Sequence, residues 1–188
     1  MSTEGLTLKH AVSKPAVHDG QAVPSLDHLT PFTFDCPCPD IRPRPLSIRA
    51  QFTNHCYTES YDSNVHAPEQ IIITEAKDRH RVFCAVRYEL SHRLRPAILE
   101  LPSRKVHQTS KFRNYVYVVP LEIGGNPYEI YFMLQRAAPD DKADLRLTVE
   151  SAYRSTGPLN LRSRPNTIRF AVLAHKVLTK QPVRFAVR

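Results

Sequence analysis

The stretch "PYEIYFMLQRAAPDDKADLRLTVESAY", residues 127–153, holds two β-rich runs separated by a turn. In the first, Tyr128, Ile130, Phe132 and Leu134 alternate with Glu129, Tyr131, Met133 and Gln135. In the second, Leu145, Leu147 and Val149 alternate with Arg146, Thr148 and Glu150. Strand side chains point to opposite faces in turn, so each run buries one face and wets the other. Between them "APDDKAD" carries Pro and Asp, the chemistry of a turn. A third run, "KFRNYVYVVPLEI", residues 111–123, enters through "GGNP". Three half-buried strands in succession predict an antiparallel meander with one packed face.

Upstream of the meander, "RYELSHRLRPAILELPS", residues 87–103, is helical in composition. Pro96 cannot continue a helix, so two short helices are expected, the second with Pro96 as its first residue. "IIITEAKDRHRVFC", residues 71–84, reads as a hairpin, and "SNVHAPEQ", residues 63–70, as a loop. "LSIRAQFTNH", residues 46–55, puts Leu46, Ile48, Ala50 and Phe52 on one side of a strand. Downstream, "TIRFAVLAHKVLTKQ", residues 167–181, fits a helix or a strand, and the helix is preferred. Residues 1–45 are Pro-rich and without period. They read as an extended, partly disordered arm whose end touches the core. The expected architecture is α+β: an antiparallel β-meander sheet packed against short helices, in a single domain over residues 46–188.

The 188 residues carry a net charge of +8 and are 41% hydrophobic. That suffices for one core and is short for two domains. No apolar run reaches the ~18 residues of a membrane-spanning helix. The N-terminus lacks the apolar centre of a secretory signal, so a cytoplasmic protein with no membrane partner is expected. A pI near 9.5 favours a polyanionic partner, RNA foremost, with DNA or an acidic protein as alternatives. A solvated basic surface would give the same composition. Of five glycines only Gly124 and Gly125 are adjacent. This excludes Walker-type and dinucleotide phosphate loops. Neither G-x-S-x-G nor H-E-x-x-H occurs, so no cofactor is expected.

There are four cysteines, Cys36, Cys38, Cys56 and Cys84. "CPC" is tighter than the usual C-x₂₋₄-C zinc spacing and has no second pair. Cys36, Cys38, Cys56 and His55 could converge on zinc only in space. Buried free thiols are the preferred reading, and no metal site is assigned.

RNA cleavage without metal needs a base, an acid and cations around the phosphorane. "FTNHCYTESYD", residues 52–62, offers His55 at a strand end beside Thr58 and Glu59. An imidazole there suits proton transfer, a structural hydrogen bond or metal binding. "TVESAYRS", residues 148–155, offers Glu150, with Arg154 on the same face and Ser151 and Tyr153 toward the packed side if alternation continues. A surface ion pair is the ordinary alternative for Glu150 and Arg154. "KFRNYVYV", residues 111–118, interleaves Lys111 and Arg113 with Tyr115 and Tyr117, a pattern for phosphate contact and base stacking. "FCAVRYELS", residues 83–91, places Arg87 at a helix start. The candidate catalytic set is therefore His55, Arg87, Arg113, Glu150 and Ser151. The candidate substrate contacts are Thr58, Glu59, Lys111, Tyr115, Tyr153 and Arg154.

Across residues 46–155, "FTNHCYTESYD", "VFCAVRYELS", "RNYVYVVPLE", "YEIYFMLQRA" and "LRLTVESAYR" resemble small proteobacterial proteins labelled stationary-phase growth adaptation or heat-shock proteins. The helix-then-meander order is similar, at the level of architecture, to the barnase, EndoU and RelE group of ribonucleases. That likeness implies metal-independent RNA cleavage, with Arg87 from the helix, Arg113 from the first strand, and Glu150 and Ser151 from the last. His55, lying before the helix, departs from that group's arrangement. The expected function is a metal-independent endoribonuclease, a growth-arresting toxin or defence effector with a protein inhibitor or defence-system partner. The alternative is a non-catalytic basic protein that grips RNA or an acidic partner.

Overall fold

Alternating apolar side chains place the long strands where the patterning predicts them. The computed structural model describes residues 17–18, 21–22, 24–38, 43–108, 114–119, 127–155 and 167–183. In chain order the elements are β1 Val17–His18, β2 Gln21–Ala22, β3 Phe32–Cys36, β4 Leu46–Phe52, β5 Thr58–Ser60, β6 Ile71–Glu75, β7 Arg79–Phe83, α1 Ala85–Ser91, α2 Leu94–Glu100, β8 Lys105–Gln108, β9 Asn114–Val119, β10 Tyr128–Arg136, β11 Leu145–Arg154, β12 Thr167–Arg169 and α3 Phe170–Leu178. Among the described residues, seven strands pair in the order β12-β8-β9-β10-β11-β4-β3, and three more in the order β5-β7-β6. β1 and β2 form a separate two-rung ladder. The fold is α+β, as expected.

The predicted meander is present: β9, β10 and β11 pair antiparallel in turn. Its packed face carries Ile130, Phe132 and Leu134 from β10 and Leu145, Leu147 and Val149 from β11, all buried. β4 continues that face on the far side of β11 with Ile48, Ala50 and Phe52 opposite Leu145, Leu147 and Val149. This joint is parallel, which the alternation pattern does not announce. A parallel pair needs a long crossover, and residues 53–144 supply it.

Two helices close the core. α3 contributes Phe170, Leu173 and Ala174, the i, i+3, i+4 spacing of one helix face. Phe170 meets Phe132 edge to face at 6.0 Å between ring centres. α2 contributes Leu94, Ala97 and Ile98. Each fully buried large side chain here is worth about 1.5–3 kcal/mol of transfer free energy.

Three details refine the sequence reading. Pro96 is the third residue of α2, not the first. The first turn of a helix has no intrahelical acceptors for its N–H groups, so a proline is tolerated throughout it. The stretch from 167 begins as a three-residue strand before the helix starts at Phe170. The end of the Pro-rich arm does more than touch the core. Its residues 32–36 form edge strand β3, with Phe32, Phe34 and Cys36 opposite Ala50, Ile48 and Leu46. Residues 1–16 of that arm lie outside the described residues.

The small sheet is built differently. β6 and β7 form the predicted hairpin, with Lys77 (φ 64°) and Asp78 (φ 52°) of its turn in the left-handed region. Its buried positions are Val82 and two polar residues, Thr58 and Arg81.

Candidate active site

A cleft of about 500 Å³ opens where the small sheet meets the end of β11. His55 from the turn after β4, Arg87 from α1 and Ser151 from β11 line it on the large-sheet side. Glu75, Arg79, His80 and Arg81 line it on the small-sheet side, and Ser60, Tyr61 and Asp78 complete the lining.

His55 sits in a 3-10 turn, Asn54–Cys56, that follows β4. Thr53 starts the turn: its Oγ1 accepts from the His55 backbone N–H at 3.3 Å. The same hydroxyl donates to the Glu150 carbonyl at 2.7 Å, and the Thr53 N–H donates to the Val149 carbonyl at 3.0 Å. The turn is thus fastened to β11. From β6, Glu75 Oε1 lies 2.7 Å from His55 Nε2. A carboxylate only accepts, so Nε2 carries the hydrogen and Nδ1 holds the lone pair in the neutral ring. Asn54 Nδ2 donates to the same oxygen at 3.0 Å, and Arg79 Nη2 is 3.7 Å from Oε2. Burial alone would raise the Glu75 pKa. The hydrogen bonds from His55 and Asn54, with the charges of His55 and Arg81, outweigh it and hold the carboxyl below its ordinary range.

Three guanidiniums surround this pair. Arg87 Nη1 donates to the His55 carbonyl at 3.1 Å. Its guanidinium lies 5.4 Å from the centre of the Tyr153 ring, and Tyr153 stacks in turn on Tyr131. Arg81 is only 6% exposed. It donates through Nε and Nη2 to the Thr58 hydroxyl and carbonyl at 2.7 and 3.0 Å. Burial depresses the Arg81 pKa first; Glu75 and Glu59 oppose this, while Arg87 and Arg79 push further down. The mutual repulsion of three cations favours an anion between them.

The bulge in β11 corrects the expected orientation of the last strand. Tyr131 pairs with Ser151 and Phe132 with Val149, which leaves Glu150 as an extra residue. One inserted residue reverses the alternation beyond it. Ala152, not Ser151, is therefore buried. Ser151 reaches the cleft wall and Tyr153 the underside of Arg87. Arg154 falls opposite Tyr128 on the packed face, and does not return to the face of Glu150. Glu150 stays half-buried and does not line the cleft. Burial raises its pKa, and the His55 charge partly offsets that.

Of the other expected site residues, Thr58 is buried and its hydroxyl is engaged: it donates to the Asn54 carbonyl at 2.8 Å and accepts from Arg81. Glu59 lies 3.7 Å from His66 and away from the cleft lining. Lys111 and Arg113 lie outside the described residues, and for Tyr115 only its place in β9 is described. The sequence reading missed Glu75, Arg79, His80 and Arg81. The signal it passed over is the density of charge in "KDRHR", residues 77–81, inside the hairpin stretch.

Cys36, Cys38 and Cys56 are buried free thiols, and burial pushes Cys36 and Cys56 up to about 12. Among the described residues no three His, Cys, Asp or Glu side chains gather in a metal-binding group. No helix among them is long and apolar enough to cross a membrane.

Comparison with known proteins adds ancestry. Protein YjaZ of Escherichia coli (strain K12) is 29% identical over 137 residues, covering 71% of this chain and 73% of that protein. No solved structure matches the chain at a significant level. The family model described as "YjaZ family" matches residues 15–178, the strands, helices and cleft described above included, and the chain belongs to the YjaZ family.

Proposed function

We propose that the protein is a metal-independent endoribonuclease whose cleft holds one phosphodiester among Arg79, Arg81 and Arg87, with His55 as the group that takes a proton from the attacking hydroxyl. The supporting observation is the 2.7 Å contact between Glu75 and His55 at the wall of a cation-rich cleft. Glu75 fixes the tautomer and leaves Nδ1, which has no hydrogen-bond partner among the described residues, as the base. The guanidiniums stabilise charge as it develops on phosphorus oxygens. Arg87 is well suited because its guanidinium carbon lies 5.4 Å from the Tyr153 ring centre and one of its nitrogens donates to the His55 carbonyl. A nuclease of this kind in the cell that makes it fits a growth-arresting or defence role with a protein inhibitor.

The test is incubation of the purified protein with total bacterial RNA in EDTA, beside His55→Asn. Discrete fragments from the wild type, and a rate lower by about 10²–10⁴ in a folded variant, are expected. Uncut RNA that still binds, with affinity falling steeply as salt rises, would replace this reading with the non-catalytic one.

A further inference from the structure

The departing 5′-oxygen needs a proton, and Glu150, the other proton-transfer candidate of the sequence, does not line the cleft. A second histidine does. His80, in β7, shares the cleft with His55, and its Nδ1 lies 2.9 Å from the Thr74 hydroxyl on β6. Tyr61 meets its ring edge-on, 6.2 Å between centres, and the Tyr61 N–H donates to the His80 carbonyl at 2.9 Å. Each of the two histidines thus has one ring nitrogen occupied by a neighbour and the other without a hydrogen-bond partner among the described residues: Nδ1 of His55 and Nε2 of His80. The two occupied nitrogens differ in kind. His55 is backed by a carboxylate, which fixes a hydrogen on Nε2. His80 is backed by a hydroxyl, which can accept from Nδ1–H of a doubly protonated ring.

Building on the ribonuclease reading, we propose that His55 and His80 act as a base–acid pair on one RNA phosphate, His80 being the proton donor to the leaving group. In the step, His55 Nδ1 takes the proton of the 2′-hydroxyl. The 2′-oxygen forms a bond to phosphorus, the bond from phosphorus to the 5′-oxygen breaks with its electron pair going to that oxygen, and His80 Nε2 delivers a proton to it. The products are a 2′,3′-cyclic phosphate and a free 5′-hydroxyl. The substrate class follows: a strand with a 2′-hydroxyl, so RNA and not DNA. The charged and titratable groups sharing the cleft with the pair are Glu75, Asp78, Arg79, Arg81, Arg87 and Tyr61. Glu150, which does not line the cleft, feels the His55 charge.

A good leaving group needs no proton, which separates a donor from a structural histidine. Wild type, His55→Asn and His80→Asn would be assayed on a diribonucleotide and on uridine 3′-(4-nitrophenyl phosphate), with near-UV circular dichroism confirming the fold of each. The expected result is that His80→Asn loses about 10²–10⁴ in rate on the diribonucleotide but stays within about 10-fold of wild type on the activated ester. His55→Asn loses both. If the wild type cleaves and His80→Asn cuts the diribonucleotide within threefold of it, or loses both substrates alike, the role of His80 is overturned while the ribonuclease reading stands. If the folded wild type cleaves neither substrate, the ribonuclease reading falls and takes this inference with it. Cleavage of the matching deoxy dinucleotide would overturn the cyclising step alone.

Discussion

The two sheets of this molecule are held together by opposite means. The seven-stranded sheet packs rows of Ile, Leu, Val and Phe from β4, β10 and β11 under α2 and α3. The three-stranded sheet buries Val82 beside Thr58 and an arginine, and its side-chain contacts include hydrogen bonds made by Arg81 and Glu75. The first arrangement is stable and chemically inert. The second keeps charged groups at the edge of water, where they are dear to hold and able to react. In such a fold the sheet whose interior the hydrophobic effect does not explain is the one to search for chemistry.

Substitutions put that contrast to the test. The largest effect is expected from Phe132→Ala, which empties the contact with Phe170 and should lower unfolding free energy by about 3–5 kcal/mol in urea titration. Arg81→Met removes two charged hydrogen bonds to Thr58 and should lower stability by about 1.5–3 kcal/mol. The loss should be concentrated in faster hydrogen exchange across β5 and β7. Equal loss of protection in β10 would show that the two sheets unfold as one and would erase the contrast.

A smaller effect separates two carboxyls that both feel His55. Glu75 titrates below its unfolded value, so its contribution is present above the ordinary carboxylate range and is lost as pH falls through the folded pKa. Glu150 titrates above its unfolded value, so its contribution is full below that range and is lost as pH rises through the folded pKa. Unfolding curves from about pH 3 to 8 should therefore show Glu75→Gln losing stability relative to wild type chiefly above about pH 4.3, and Glu150→Gln gaining on wild type as pH rises past it. Parallel curves for the two variants would contradict both assignments. The smallest effect is expected at the hairpin turn. Lys77→Gly removes a side chain from a left-handed position and should stabilise by about 1 kcal/mol, read as a rise in melting temperature.

The large sheet was legible because period-two alternation writes burial directly into β4, β10 and β11. The site was legible only in part, for three physical reasons. The bulge at Glu150 carries no Gly or Pro to mark it, yet one extra residue turns Ser151 and Tyr153 outward and Arg154 inward. Glu75 closes an apolar run, "IIITE", and meets His55 across a turn and between two sheets, so no local pattern links them. Arg81 looks like a solvated charge beside a turn, and only the Thr58 hydroxyl and carbonyl give it a reason to be buried. His55, Arg87 and Ser151 were found because their residue types suit the chemistry, and the fold brings those three together in one cleft.

The parallel joint between β4 and β11 has a consequence in time. The Thr53–Glu150 bond that fastens the His55 turn spans 97 residues. At a synthesis rate of about 5–20 residues per second, β4 waits roughly 5–20 s on the ribosome for its partner. β5, β6 and β7 are all made by residue 83, so the small sheet's side of the cleft, with His55 before it, is made long before β11. Ser151 and the strand that anchors His55 arrive last. A truncated or stalled chain that ends before β11 carries the histidines and arginines without the wall that aligns them. The order of synthesis itself keeps the cleft incomplete until β11 has been made.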